Sequence, residues 1–429
     1  MNWKPIGNNG GARVSAVETV RNYPPLTGAL APGAPIFPCA GTAAGRRFGP
    51  EELEALRRVV ESGALNRNAG ETVKKFERAF ATYYGRKHCV MVSSGTAAIH
   101  VALGSLGINP GDEVITSPIT DMGTVAPILL SNAIPVFADL DERTFLMDPA
   151  SIEANITKRT RAIMPVHLAG YPCDMGAIKA IAARHGIPIV EDCCQAYCCG
   201  YQGRWVGQLT EIGCFSLNQH KHITCGDGGM MVTDDDALAV RAKLFADKGW
   251  AREQSIRDYL FLAPNYRVTE LQAAVALAQL QKLASVVRDR RRIAERILAG
   301  VDSCGVFEWM QPVQGAEPSY WFLLARARKR PRDELGKFLI QRGVPAMNGY
   351  LSAPIYRSTM LAHMKTFGDS GWPHRAAEIQ SSRTYEWGLC PRAEHLVAET
   401  FVVQINENYG DEQVAYVLAA LKDMAARLA

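Results

Sequence analysis

Short apolar runs alternate with helical segments along the middle of the chain, and this alternation is the strongest constraint on its fold. Such runs are typical of parallel strands that are covered by helices on both faces. The pattern predicts an α/β fold with a mostly parallel, seven-stranded sheet and helices on both faces. In such sheets, ligands bind beyond the carboxyl ends of the strands. The runs are residues 89–92, 113–116, 134–137, 160–166, 187–190, 212–215 and 229–232.

The chain has 429 residues, more than one hydrophobic core usually supports. We expect an N-terminal extension over residues 1–45, a large domain over 46–300 and a smaller C-terminal α+β domain over 301–429. The extension is rich in Pro, Gly and Ala, so it is predicted to lie over the surface or to be partly mobile. Apolar residues at helical spacing predict a helix over residues 269–299 that links the two domains.

Composition excludes several classes of function. The net charge of +4 is too small for this length to indicate nucleic-acid binding. No apolar run reaches the roughly 18 residues that span a bilayer, and the first residues lack a signal-peptide core. We therefore expect a cytoplasmic protein without nucleic-acid or membrane partners. The cluster Cys193, Cys194, Cys198 and Cys199 is interpreted as buried thiols and no metal is expected, with a metal or redox site as the alternative.

Lys221 follows the run 212–215, and its chemistry narrows the function most. A lysine amine can form a Schiff base with an aldehyde. Asp192 follows another apolar run, and a buried carboxylate can hold a pyridine nitrogen protonated so that the ring becomes an electron sink. Together the two residues indicate pyridoxal phosphate (PLP) chemistry. Alone, neither residue is specific for this chemistry. Most lysines after a strand, for example, are solvated surface cations.

A phosphate site is predicted where the first strand leads into a helix. Ser94, Gly95 and Thr96 follow the run 89–92 and open a helix whose N-terminus offers backbone N–H groups to an anion. A simple helix cap is the alternative. Ser216 could add a hydroxyl, and residues 226–229, with three glycines, would let the backbone turn tightly under a cofactor.

These residues carry a resemblance to the fold-type I PLP enzymes, and within them to the sugar aminotransferases often called the DegT/StrS family. The resemblance runs from about residue 50 to residue 421. It implies the PLP-dependent transferase fold, with the large domain as the PLP-binding domain. The motifs are Ser94-Gly-Thr-Ala-Ala98, Pro165-Val-His-Leu-Ala-Gly-Tyr-Pro-Cys-Asp-Met175, Glu191-Asp-Cys-Cys-Gln-Ala196, Phe215-Ser to Lys221, Gly226-Asp-Gly-Gly229, Asn265-Tyr-Arg-Val-Thr-Glu-Leu-Gln-Ala273 and Ile405-Asn-Glu-Asn-Tyr409.

The resemblance implies a role for each matching residue. Lys221 would be the Schiff-base lysine and proton shuttle, and Asp192 the partner of the pyridine nitrogen. Gln195 would contact the cofactor face that carries the phenolic oxygen. Asn265 resembles an asparagine that such enzymes send across a dimer interface to the partner's phosphate, so a homodimer with shared sites is implied. The residues implied to hold the phosphate are Ser94, Gly95, Thr96 and Ser216.

The sequence departs from the family pattern at one contact. The family usually stacks an aromatic ring on the cofactor after a Pro-x-x-Thr run, whereas this chain places Met122 or Asp121 there. A thioether can cover a ring face, although less rigidly. The candidate substrate contacts are His167, His220 and Tyr320, with structural packing as the alternative for each.

The resemblance implies an aminotransferase that moves an amino group from glutamate or glutamine to a keto-sugar, keto-cyclitol or related ketone. A PLP-dependent dehydratase, decarboxylase or other lyase is the alternative, suggested by the missing stacking aromatic and by the His-Lys-His sequence around Lys221. A PLP-fold sensor or scaffold without catalysis is a third hypothesis. Loops 247–252, 319–322 and 347–352 are predicted to select the acceptor, with ordinary packing as the alternative.

Overall fold

The computed structural model describes residues 33–301, 305–368, 370–376, 379, 381 and 383–429. Residues 1–32 of the predicted N-terminal extension lie outside the described residues, so the prediction for them stays untested. The described part of the extension includes a short 3₁₀ helix, Ala43–Gly45, that leads into the first α-helix.

Helices and strands alternate through most of the described chain, as the sequence predicts. Two further 3₁₀ helices are Leu168–Gly170 and Ile355–Arg357. The α-helices are α1 (Pro50–Ser62), α2 (Thr72–Tyr83), α3 (Gly95–Leu106), α4 (Met122–Leu130), α5 (Pro149–Asn155), α6 (Met175–His185), α7 (Asp236–Ala246), α8 (Glu270–Gly300), α9 (Arg332–Gln341), α10 (Thr359–Ala362), α11 (Pro391–Glu399) and α12 (Asp411–Leu428). The strands are β1 (His88–Val92), β2 (Glu113–Thr116), β3 (Ile134–Phe137), β4 (Thr160–Met164), β5 (Val190–Asp192), β6 (Gly200–Tyr201), β7 (Arg204–Trp205), β8 (Ile212–Ser216), β9 (Gly229–Thr233), β10 (Phe307–Trp309), β11 (Ala316–Glu317), β12 (Leu323–Ala327), β13 (Ala346–Met347) and β14 (Thr400–Val403).

Each of the seven predicted apolar runs overlaps an observed strand. These strands form a four-stranded sheet of order β1-β9-β8-β5 and a three-stranded sheet of order β3-β2-β4. Two isolated parallel bridges, Ile163 to Ile189 and Val166 to Asp192, join β4 to β5. Strand β9 runs antiparallel to both of its neighbours, whereas the other pairings are parallel.

The strand predicted at residues 187–190 differs from the observed strand. It begins only at Val190 and continues to Asp192, so Glu191 and Asp192 lie within the sheet. Strand β5 pairs in parallel with β8, and Asp192 lies opposite Cys214 in that register. The carboxylate is therefore held at the carboxyl edge of the sheet, near the end of the strand that precedes Lys221.

Helix α3 packs against the middle of the large sheet and is buried on nearly all sides. Its residues are almost all apolar, which suits a helix enclosed by a sheet and by other helices. Gly104 allows Phe245 of α7 to approach, since a Cβ on this glycine would lie only 2.3 Å from the phenyl ring.

Helix α8 begins with a capping box, in which Thr269 accepts from the backbone N–H of Gln272 and the Gln272 side chain accepts from the backbone N–H of Thr269. It ends at Gly300, one residue beyond the predicted end. The strands that follow form an antiparallel sheet of order β10-β12-β14-β13. The domain boundaries at residues 45 and 300 remain predictions. No helix among the described residues combines the length and apolar character needed to span a bilayer.

Candidate active site

A cavity of about 360 Å³ lies at the carboxyl edge of the large sheet, where the sequence predicts ligand binding. Its wall combines the start of α3, the turn before α4, the ends of β5 and β8, and loops from the C-terminal part of the chain. The lining residues are Ser94, Gly95, Thr96, Ile99, Thr120, Asp121, Gly123, Thr124, Asp192, Cys194, Gln195, Ser216, Asn218, His220, Lys221, Asp227, Trp321, Met347, Tyr350 and Leu351.

Lys221 projects its amine into this cavity. Its Nζ lies 3.8 Å from the centroid of the Trp321 ring. Burial lowers the pKa of Lys221 below its usual range, against the opposing effects of Cys194, Asp121 and Asp192. A lowered pKa makes the neutral, nucleophilic amine available nearer to neutral pH.

Asp192 is buried on the same wall. The Thr124 hydroxyl donates a 2.7 Å hydrogen bond to its Oδ2 atom, and the Cys194 backbone N–H donates a 3.1 Å bond to its Oδ1 atom. Thr124 is in turn 2.6 Å from the Thr120 hydroxyl. These bonds orient a carboxylate in a water-poor site, where it could pair with a protonated ring nitrogen.

The predicted phosphate residues lie together at the start of α3. The Ser94 hydroxyl caps the helix by accepting a 3.0 Å bond from Ala97 N–H. The first N–H groups of a helix have no intrahelical acceptor, so those of Gly95 and Thr96 can serve an anion. A Cβ on Gly95 would lie 2.7 Å from Cβ of Ser216 and 3.0 Å from Sγ of Cys194, so only glycine lets the helix start approach the end of β8 this closely.

These features fit PLP. The cavity offers an anion cradle at the start of α3, a hydrogen-bonded carboxylate at Asp192 and a desolvated amine at Lys221, all along one wall. Its volume suits a small cofactor, because ligand sites commonly start near about 300 Å³. Gln195 also lines the cavity, although its amide is already bound to Ala169 N–H and to the Tyr350 hydroxyl.

The structure adds residues that were not among the predicted site residues. Trp321 covers the Lys221 amine, and Tyr350 reaches Gln195 through a 3.0 Å hydrogen bond. Both belong to loops, 319–322 and 347–352, for which the sequence predicted only contacts with the acceptor. Of the predicted substrate residues, His220 lines the cavity. Burial and the charges of Arg46 and Lys221 lower its pKa, which favours the neutral imidazole at neutral pH.

Three predicted site residues are not among the residues that line the cavity, and their predicted contacts with cofactor or substrate stay predictions. His167 is fully buried between Glu191, 3.2 Å away, and the backbone N–H of Cys173. Met122 packs against the main hydrophobic core, so Asp121 and Gly123 face the cavity in its place. Tyr320 has a left-handed backbone, with a φ of +49°, and its ring packs edge-on against Tyr171 at a centroid distance of 5.4 Å.

Asn265 is exposed and lies outside the cavity wall of its own chain. It forms an isolated bridge with Asp247, just before the start of α8. This position leaves the implied contact with a partner's phosphate as a prediction.

Three of the four clustered cysteines, Cys193, Cys198 and Cys199, are buried as predicted, whereas Cys194 is half-buried and lines the cavity. Burial raises the pKa of the Cys193, Cys198 and Cys199 thiols. Potential metal-ligand atoms of His167, Glu191 and Cys193 lie within 4.8 Å of one another. The Glu191 carboxylate, however, already accepts hydrogen bonds from His167, from the Thr210 hydroxyl and from three backbone N–H groups. This cluster therefore serves as a structural hydrogen-bond network.

Comparison with known proteins identifies the family. The model of the DegT/DnrJ/EryC1/StrS aminotransferase family matches residues 47–422, and PLP is the cofactor of this family and its structural neighbours. The chain is 40% identical over 258 residues to the spore coat polysaccharide biosynthesis protein SpsC of Bacillus subtilis, a match that spans 58% of this chain and 66% of SpsC. It is 35% identical over 343 residues to a putative L-glutamine:3-amino-2,3-dideoxy-scyllo-inosose aminotransferase of Streptoalloteichus tenebrarius, spanning 77% and 80% of the two chains.

A solved structure shows the same fold. DesV of S. venezuelae superposes with a TM-score of 0.79 at 31% sequence identity, covering 89% of this chain and 95% of that one. The predicted fold-type I α/β architecture is confirmed at this level.

Proposed function

The chain belongs to the DegT/DnrJ/EryC1/StrS aminotransferase family, and on that premise we propose that this PLP-dependent aminotransferase moves an amino group from glutamate or glutamine to a keto-sugar, keto-cyclitol or related ketone. The single observation that carries the proposal is the convergence of Lys221, Asp192 and the N-terminus of α3 on one cavity. Relatives named for sugar and aminocyclitol chemistry support the acceptor class.

Several polar groups in the cavity would have a part in such a reaction. Bound PLP would supply an aldehyde for attachment and an electron-withdrawing ring. Nζ of Lys221 would be the base that takes and returns the substrate proton. The Asp192 carboxylate would keep a proton on the ring nitrogen, while Thr124 and the Cys194 N–H keep that carboxylate oriented. The start of α3 and Ser216 would anchor the phosphate.

The cavity lining also includes residues outside the proposed cofactor contacts that are suited to a hydroxylated ring. Trp321, Tyr350 and Leu351 offer flat or apolar surface, whereas Asp121 and Asp227 offer acceptors for hydroxyl groups. We infer that these residues contact the acceptor.

The residues around Lys221 give little support to the lyase alternative. His222 is buried, and its Nε2 pairs with the carbonyl of Ser319 at 3.1 Å, so it serves the fold. His220 is the only histidine of the predicted set that lines the cavity within the described residues. We therefore keep transamination as the proposed reaction.

We further propose a cytoplasmic homodimer with shared sites, in which the exposed Asn265 reaches the partner's phosphate. The support is its exposure at the surface, just ahead of α8, and its similarity to the family's interface asparagine. The proposed units are the PLP-binding domain over residues 46–300 and the small domain over 301–429.

The direct test follows both halves of the reaction. The PLP-loaded enzyme is mixed with glutamate or glutamine, and the visible spectrum is followed while the keto acid is quantified. Conversion to the pyridoxamine phosphate form with one equivalent of keto acid supports transamination. The pyridoxamine form is then offered a panel of keto-sugars and keto-cyclitols. Release of ammonia or a dehydrated product, without the pyridoxamine form, would instead favour the lyase. No spectral change with any amino donor would contradict transamination.

A further inference from the structure

We propose that Arg46 is a positioning residue that holds the backbone of the Lys221 loop against the cavity. The loop is defined here as residues 217–228. This proposal rests on the proposed role of Lys221 in transamination. It assigns a task to a residue that precedes the segment 47–422 matched by the family model.

Arg46 reaches the loop from the N-terminal part of the chain. Its side chain is only 5% exposed. One guanidinium nitrogen, Nη1, donates a 2.6 Å hydrogen bond to the backbone carbonyl of Lys221, and Nη2 donates to the carbonyl of Gln219. The remaining nitrogen, Nε, donates a 3.0 Å bond to the carbonyl of Ala40. The rigid fork of the guanidinium therefore joins the loop to the turn that carries Arg46.

The same stretch of loop is held from the other side by Trp321. Its indole N–H donates a 2.7 Å bond to the carbonyl of His220. Three consecutive carbonyls, those of Gln219, His220 and Lys221, are thus bound by side chains from outside the loop. Because Trp321 also covers the Lys221 amine, the two donors constrain both the backbone and the reactive end of one residue.

The turn that carries Arg46 is itself fixed. The side-chain amides of Asn406 and Asn408 donate to the carbonyls of Gly45 and Ala44 at 3.1 and 3.0 Å. A Cβ on Gly45 would lie 1.8 Å from the carbonyl oxygen of Cys39, so the turn closes on itself only with glycine at this position. A second contact joins the loop to this part of the chain, because the side-chain amide of Gln219 donates a 2.9 Å hydrogen bond to the carbonyl of Ala40.

Arg46 is an unusual residue for a purely structural contact, because it buries a charged guanidinium. A buried cation costs free energy unless its donors are satisfied. Among the described residues no carboxylate lies within salt-bridge distance of Arg46, and its partners are backbone carbonyls. Two of the three bonds that compensate for its burial go to the loop, and one of these two binds the carbonyl of the residue that bears the reactive amine. A small displacement of such a residue can cost on the order of 100-fold in rate.

The test compares Arg46→Met with Arg47→Met in the full-length PLP-loaded enzyme. Arg47 is a neighbouring control, because its side chain bonds Asp289, Ser285, Asn408 and the carbonyl of Glu407 but, among the described residues, none of the loop. Three readouts are taken: hydrogen exchange of loop amides in the apoenzyme, visible circular dichroism of bound PLP, and the first half-reaction with the amino donor.

We expect Arg46→Met to speed exchange across residues 217–228 by about tenfold. We also expect it to weaken the visible dichroism and slow the half-reaction by about 10- to 100-fold, with the donor KM changed less than threefold. Arg47→Met should stay within about twofold of wild type in the loop exchange and the half-reaction. Wild-type exchange and dichroism in Arg46→Met would overturn the proposal, as would equal effects in both variants.

A second variant keeps the proposal testable if Arg46→Met does not fold. Arg46→Lys keeps the charge but cannot hold two carbonyls with one planar fork, so it should show intermediate values of all three readouts. If Arg46→Met does not fold, wild-type values of Arg46→Lys would overturn the proposal. Should the wild-type enzyme fail to transaminate, the proposed function fails, whereas loop exchange and dichroism still decide the role of Arg46.

Discussion

The Lys221 amine lies 3.8 Å from the centre of the Trp321 ring, and no carboxylate among the described residues pairs with it directly. An aromatic face attracts a cation but solvates it less well than water does. Burial therefore lowers the pKa of the amine. This contact links the reactive lysine to a loop in the C-terminal half of the chain.

Replacing Lys221 with Ala should abolish covalent attachment of PLP. No other lysine lines the cavity, so no substitute amine is at hand among the described residues. The measurement is borohydride treatment followed by mass spectrometry of the peptides, with the wild-type enzyme as the positive control. A reduced PLP adduct on another lysine of the variant would show that Lys221 has been wrongly assigned.

Replacing Lys221 with Met should stabilise the apoenzyme, and the gain should shrink as the pH rises. The folded-state pKa of Lys221 lies below its unfolded value, so folding carries the desolvation penalty when both states are protonated. The penalty is lost between the lowered folded pKa and the ordinary unfolded value near 10.5. Thermal unfolding of both apoenzymes at neutral and alkaline pH measures the gap. A gap independent of pH would contradict the lowered pKa.

Asp192→Asn should keep PLP bound but slow the first half-reaction by about 100-fold or more, because an amide cannot keep the ring nitrogen protonated. Thr124→Val is the graded comparison, since it removes only the 2.7 Å donor to Oδ2. We expect a loss of about tenfold there. Cofactor content and single-turnover rates are measured side by side. Near-normal turnover in Asp192→Asn would assign the ring nitrogen to a different acid.

His167→Ala should destabilise the protein while sparing substrate affinity. The imidazole is buried and bridges Glu191 to the Cys173 N–H, so its loss leaves polar groups unpaired at a cost of about 2–3 kcal/mol. Denaturant unfolding should show this cost, with the donor KM within twofold of wild type. His220→Ala, at the cavity wall, should show the reverse pattern. A selective rise in KM for His167→Ala would restore it as a substrate contact.

Mixing an Asn265→Ala chain with a Lys221→Ala chain should restore activity if sites are shared between two chains. One site of each heterodimer then carries both defects, and the other carries none. Mass spectrometry confirms that heterodimers form, and activity is compared with the unmixed parents. Confirmed heterodimers without recovered activity would place Asn265 in its own chain's site or outside the site.

The sequence by itself determined the parts of the site that are local in the chain. Apolar runs predicted the strands of the large sheet, and Asp192, Lys221 and Ser94 could be located because each lies at or just beyond the end of such a run. Parallel strand ends meet at one edge of a sheet, so residues far apart in sequence could be assigned to one cavity without knowing any distance. The start of α3 was likewise readable from its capping residues.

The tertiary structure decided which side chains face that cavity. Arg46 is 175 residues from Lys221, and Trp321 is 101 residues from His220, yet both bind the loop that carries the reactive amine. His167 and Tyr320 belong to segments that the sequence associates with the site, but in the folded chain the first bonds Glu191 and the second packs its ring against Tyr171. Periodicity and motif spacing report the path of the chain, whereas side-chain direction at a loop depends on backbone angles and on partners that only the folded chain brings together.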